Sequence, residues 1–306
     1  MDGIRYLIIG ERGTRLAALQ AGRADAFCPL EMTKAMADTV KKAVPALVVS
    51  ETGQLGSDNV VINHKRPPFD HLEVRRAISL ALDRDASAMG VRHGGAVVGA
   101  TFMPKPWGSW ALPDKELRAL PGYRGSAQDK PEAKRLLAAA GYGPAKPLHL
   151  EMITRTSPIY MDLASFVVDQ LRQVGVDVNL KQMDTTAWFP ALARRDYLIG
   201  ANLTAPGIDD PDVYLYENFK CGTSRNYTDY CNEAVDRLID QQSQELDRDK
   251  RQKLVWQIQK QLESDVARPM LGWRKEYFTQ WPHVKNLVAH NSLYNWGRMQ
   301  DVWLDK

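Results

Sequence analysis

Apolar positions along this chain recur with two periods, and the periods alternate. Val74, Ala77, Ile78, Ala81 and Leu82 repeat at helical spacing, which puts them on one face of a helix. Just before them, Arg66-Pro67-Pro68 can neither continue a helix nor sit inside a central strand, because proline fixes φ and lacks the donor. Asp70 is expected to cap this helix, with Glu73 as its reciprocal partner. The same reasoning predicts helices over 15–20, 31–43, 158–174, 232–246 and 249–262, and a short one from Thr185. Another helix starts at Pro131 and stops at Gly141.

Strands are predicted where apolar residues alternate or cluster with a β-branched bias: 4–9, 47–50, 60–64, 147–153, 176–180, 197–203 and 268–273. Val60, Ile62 and His64 share one side of their strand, and Val61 and Asn63 share the other. Residues 52–59 are polar and Gly-rich and read as a loop. The connection from 153 to 176 is too long for a hairpin, so two parallel strands joined by a right-handed crossover are expected. Alternating strands and helices of these lengths argue an α/β layered architecture.

A chain of 306 residues can bury a large core and is long enough for two domains. A net charge of +3 without a dense basic run argues against nucleic acid as a partner. Met1-Asp2-Gly3-Ile4-Arg5 lacks the basic and then apolar regions of an export signal.

Catalytic motifs are not found. There is no nucleophile elbow, phosphate loop, H-E-x-x-H or paired cysteine–histidine arrangement, so an enzymatic reading has no residue to name. His64 has no ligand-type neighbour at metal spacing and reads as a surface or hinge histidine. Asp209, Asp210 and Asp212 surround Pro211 without the frame of a calcium loop. Helix capping by Asp210 or Asp209 is the simpler account. No metal or cofactor is expected. Cys221 and Cys231 flank a polar loop, where a disulfide and two packed thiols both fit. Cys28 reads as a small buried hydrophobe. Trp107 and Trp110 lie in a stiff, proline-bracketed segment and either cover a core or line a cleft.

The run F-D-x-x-E-V-R-R-A-I-S-L-A-L-D-R, from Phe69 to Arg84, resembles the signature of ABC-transporter solute-binding proteins of the dipeptide, oligopeptide and nickel family, family 5. The D-x-x-x-A-x-x-L-L-A-x-A-G-Y pattern from Asp129 to Tyr142 resembles it too, as do Asn226, Tyr227, Tyr230 and Asn232. The resemblance implies a periplasmic-binding-protein-like fold of type II, with two lobes joined by a hinge. It implies that this chain is the C-terminal portion of a longer periplasmic protein whose missing region carries the export signal. Residues 1–64 would be part of an incomplete lobe one, 65–280 a complete lobe two, and 281–306 a return segment to lobe one.

The implied function is extracytoplasmic binding of a peptide-like or other small polar solute. A monomer would deliver it to the membrane permease subunits of an ABC importer by hinge bending. The implied cleft groups are Trp107, Trp110, Trp188, Asn226, Tyr227 and Trp296, with Asp209 and Asp210 as cation partners. Peptide-binding members carry an Asp four positions before a Pro, and Gly207 stands there in this chain. A glycine cannot neutralise an ammonium, which argues against ordinary peptide recognition by that route. A periplasmic setting favours a Cys221–Cys231 bridge. The competing readings are a remnant that folds but binds little, and a hydrolytic enzyme.

Overall fold

A strand of fifteen residues runs through the middle of one mixed sheet and sets the architecture. The computed structural model describes residues 3–9, 11–27, 32–292 and 299–305. Helix α1 (Arg12–Gln20), strand β1 (Ala26–Phe27) and helix α2 (Lys34–Ala43) lead into the long strand β2 (Val48–Ile62). Then come α3 (Leu72–Ala81), α4 (Arg84–Gly90), β3 (Ala96–Val97), α5 (Asp114–Leu117) and α6 (Ser126–Ala139). A run of β4 (Leu148–Arg155), α7 (Pro158–Arg172), β5 (Val176–Met183), α8 (Thr185–Arg194) and β6 (Ile199–Thr204) follows. Helices α9 (Pro211–Phe219), α10 (Glu233–Gln244) and α11 (Arg248–Ser264) precede β7 (Met270–Gln280), β8 (Val284–Lys285) and β9 (Trp303–Leu304).

The main sheet has the order β1-β7-β2-β6-β4-β5, with β3 also on β7, and β8 pairs with β9 separately. β4 and β5 are parallel, with α7 as the crossover, as the strand–helix–strand spacing predicts. β2 is antiparallel to both β7 and β6, and its register against β7 shifts between Gly53 and Ser57. Its two faces pack as expected. Val60 and Ile62 join α3 and α7 in the largest apolar cluster, and Val61 joins Ile153 and Trp188 on the other face. The start of β2 belongs to a separate cluster, where Leu47 packs with Leu19, Ala37 and Val40.

Several local expectations are overturned. Residues 52–59 are not a loop but the interior of β2. Polar side chains there bond across the sheet: Gln54 donates to Glu276, and Asn59 donates to Thr204 Oγ1 at 3.1 Å. Residues 4–9 form no strand. They lie open to solvent, with Ile8 97 % exposed, and no strand among the described residues pairs with them. Asp70 does not cap α3, since the N-cap position falls on His71 and carries no side-chain cap bond. Pro131 sits inside α6 rather than at its start, where Gly125 occupies the N-cap. β7 continues seven residues past the predicted end at Trp273, which brings Arg274, Lys275 and Glu276 into the sheet. Asp210 does cap α9, accepting from Asp212 N at 2.9 Å.

Candidate functional site

A cleft of about 990 Å³ lies where β7 and β2 meet the ends of several other segments. From β7 come Arg274, Lys275, Glu276 and Tyr277, and from β2 comes Gln54. The loop after α4 supplies Arg92 and His93. Arg155 ends β4, and Ser157 and Tyr160 open α7. The starts of α1 and α2 close the far side with Glu11, Arg12, Arg15 and Lys34.

Charge distinguishes this lining. Seven Lys and Arg side chains face three carboxylates, Glu11, Asp162 and Glu276. Glu11 is committed to α1, whose first turn donates Gly13 N and Thr14 N to it at 2.8 and 2.6 Å. Those donors hold its carboxyl below the usual range. Arg92 donates to Asp58, which lies beneath the lining with its side chain 2 % exposed. Burial alone disfavours the Arg92 cation, but the Asp58 carboxylate more than offsets this and raises its pKa. Lys275 pairs with Glu51 at 2.8 Å.

Arg274 is different. It is 8 % exposed, and its Nε has no hydrogen-bond partner. Burial first, and the Arg92 cation with it, lowers its pKa, although the nearby Asp58 and Glu276 carboxylates act in the opposite direction. Gly56 makes room for it, since a Cβ there would lie 2.5 Å from Arg274 Nη2. Arg155 lays its guanidinium 4.7 Å from the Tyr160 ring centroid and donates to Thr185 Oγ1 at 2.7 Å, while its Nε has no partner.

None of the described residues singled out from sequence lines this cleft. Trp188 is fully buried, edge-on to Tyr160 at 5.8 Å, so it is core that backs a cleft residue. Asn226 is buried too, and its amide donates to the carbonyls of Lys220 and Tyr230 at 3.1 and 2.6 Å, which shapes its loop. The Tyr227 carbonyl takes the Tyr197 hydroxyl, and its ring packs on the Trp188 cluster. Trp107 is half-buried against Gly53, with the Lys275 ammonium 5.4 Å from its ring centroid. Trp296 and Cys28 lie outside the described residues.

Trp110, Asp209 and Asp210 do come together, but elsewhere. Trp110 Nε1 donates to the Asp209 carbonyl at 2.9 Å, and the Asp209 carboxylate accepts from Ser109 N at 3.0 Å. Arg251 grips Asp210 with bonds of 3.0 and 2.9 Å and covers the Trp110 ring at 4.9 Å. Trp110 and Asp209 border a second depression of about 450 Å³ beside Arg248 and Arg251. Both acids are bonded to the protein's own donors, away from the cleft lining. Cys221 and Cys231 are joined as a disulfide. Among the described residues, no group of three His, Cys, Asp or Glu is placed to hold a metal.

Residues 1–226 match the model of the bacterial extracellular solute-binding proteins, family 5, in its middle region. The chain belongs to that family. A family 5 relative, the periplasmic oligopeptide-binding protein OppA of Salmonella typhimurium, is 26 % identical over 272 residues, covering 87 % of this chain and 48 % of its own length. The structure of Burkholderia pseudomallei OppA superposes with a TM-score of 0.81 at 23 % identity, over 98 % of this chain and 58 % of that one. DppA from Helicobacter pylori, in complex with the peptide STSA, gives 0.81 at 22 % identity, over 97 % and 56 %. These superpositions show the periplasmic-binding-protein-like fold. The family is one of binding proteins, and the chain spans about half the length of the curated relatives it matches.

The cleft residues that sequence reasoning missed are Arg92, Arg155 and Arg274. One signal was present: W-R-K-E-Y puts three consecutive charges inside an otherwise apolar strand. Charges at such positions need a partner or a site.

Proposed function

We propose that this protein binds a small solute in the 990 Å³ cleft, outside the cytoplasmic membrane, and hands it to the permease of an ABC importer. The observation that carries this reading is the family match over residues 1–226 together with a cleft of solute size. Two lobes would move about the β2–β7 ladder. The apolar clusters favour a division inside β2, at the register shift between Gly53 and Ser57, rather than at residue 64. The segment before the shift packs with α1 and α2, and the segment after it packs with α3 and α7. Closure about that ladder would bring Arg12 and Lys34 toward Arg155 across the opening.

The test is a thermal-shift screen of the chain against a library of peptides, sugars, polyols, organic acids and amines. A solute that raises Tm, with affinity confirmed by calorimetry, supports the reading. A folded sample that responds to nothing overturns it in favour of a non-binding remnant.

A further inference from the structure

Cationic side chains outnumber carboxylates in the cleft lining, seven to three, and Asp38 engages Lys34 from outside it. Asp58 neutralises Arg92, and Glu51 neutralises Lys275. Glu11 caps a helix, and Glu276 accepts the Gln54 amide. Arg155 takes only a hydroxyl and two aromatic faces, Tyr160 and Phe189, as its described partners. Arg274 is more than nine-tenths buried with Nε unpartnered. The Asp58 and Glu276 carboxylates lie near Arg274, yet its buried Nε keeps no acceptor, and its planar fork of donors matches the two oxygens of an oxyanion.

We propose that the solute is a small anion carrying at least two carboxylate or phosphate groups, one seated on Arg274 and another on Arg155. This rests on the solute-binding reading above and gives it a chemical class. Two such cations within one cleft reward two negative groups on one molecule. The cleft concentrates positive potential where low-dielectric walls focus it, which draws an anion in and repels an amine. The residues that could have met an ammonium point the same way. Gly207 has no side chain to offer, and its carbonyl takes the Ser292 hydroxyl at 2.6 Å. The Asp209 carboxylate is bonded to the Ser109 amide.

The whole chain is titrated by calorimetry with four probes at equal ionic strength: citrate, fructose 1,6-bisphosphate, tetra-alanine and tri-lysine. Citrate or fructose 1,6-bisphosphate is expected to bind, and whichever is tighter identifies carboxylate or phosphate as the preferred oxyanion. Arg274→Gln and Arg155→Gln should each weaken that binding by about tenfold or more, the loss of one charge-assisted bidentate contact. Arg155→Gln, which removes a less buried group, keeps the test valid if Arg274→Gln does not fold. Binding of tetra-alanine or tri-lysine as tight as that of the anions, indifferent to both substitutions, overturns the anionic class and leaves solute binding standing. Silence from all four probes, while a neutral solute from the wider library binds, does the same. Silence from every compound in both experiments overturns both readings.

Discussion

Arg92 holds the Asp58 carboxylate in a two-pronged grip, Nε to Oδ2 and Nη2 to Oδ1, both at 2.7 Å. The pair ties the loop after α4 to the centre of β2, across 34 residues of chain. Both side chains are largely shielded, at 11 % and 2 % exposure. Such a pair adds little over a well-packed apolar replacement, but removing one member strands the other. Asp58→Asn should therefore destabilise the protein by about 3–5 kcal/mol, read by urea unfolding. Combining Asp58→Asn with Arg92→Met should recover part of that loss. A single variant as stable as wild type would show that the pair is not desolvated.

Gly108 gives a sharper steric prediction. A Cβ at this position would lie 1.8 Å from the Met103 carbonyl oxygen. Backbone cannot swing aside as a flexible side chain can, so the Trp107–Trp110 segment must rebuild. Gly108→Ala should cost at least about 1–3 kcal/mol, the usual range for overpacking. Gly143→Ala meets nothing within 4 Å and should be nearly neutral. Equal Tm values for the two variants would contradict the packing described for Trp107.

How much of this was legible in the sequence depends on where each residue finds its partner. Helices such as α7, α10 and α11 came through because their inward faces repeat locally: Leu163, Val167 and Leu171 lie at four-residue steps. β4, β5 and their parallel pairing followed from alternation and connection length. β2 was half missed. T-G-Q-L-G-S-D-N has the composition of a loop, and it is a strand whose Gln54, Asp58 and Asn59 bond to Glu276, Arg92 and Thr204 from far away in the chain. Residues 4–9 fail for the opposite reason, with β propensity but no strand beside them among the described residues. The site was the least legible part. An aromatic residue such as Trp188 looks the same from sequence whether it faces a core or a cleft. Arg274 becomes notable only once β7 is seen to bury it.

The Cys221–Cys231 bridge closes a loop spanning ten positions around the buried Asn226. On the chain-entropy account, removing it should cost about 3 kcal/mol. Thiol titration of the denatured, unreduced chain should find one reactive group, Cys28, and three after reduction. Three before reduction would mean that the bridge does not form. Cys221→Ser with Cys231→Ser should lower Tm while leaving Arg274 and the cleft intact, because the loop lies outside the cleft lining.

Two titrating groups act on stability in opposite directions, and each hides the other. His64 contacts the Val266 carbonyl at 3.2 Å and the Tyr230 ring edge-on, and burial first, with Arg75 nearby, pushes its pKa down from 6.5 to about 3. Between those values the unfolded chain binds a proton that the folded one refuses, so stability is lost as pH falls from 6.5 toward 3. Glu263, which accepts the Tyr123 hydroxyl at 3.1 Å, is shifted the other way, since burial raises its carboxyl from 4.5 to about 7. There the folded chain holds a proton that the unfolded one releases, so stability is lost as pH rises from 4.5 to 7. From pH 4.5 to 6.5 the two slopes, each about 1.4 kcal/mol per pH unit, oppose one another. Glu263→Gln should unmask the histidine, leaving a protein that weakens steadily on acidification below pH 6.5. His64→Gln should unmask the carboxyl, giving a protein that strengthens as pH drops from 7 to 4.5. Urea midpoints measured at half-unit steps separate these outcomes. Two variants with the same pH profile as wild type would mean that neither group is desolvated as described.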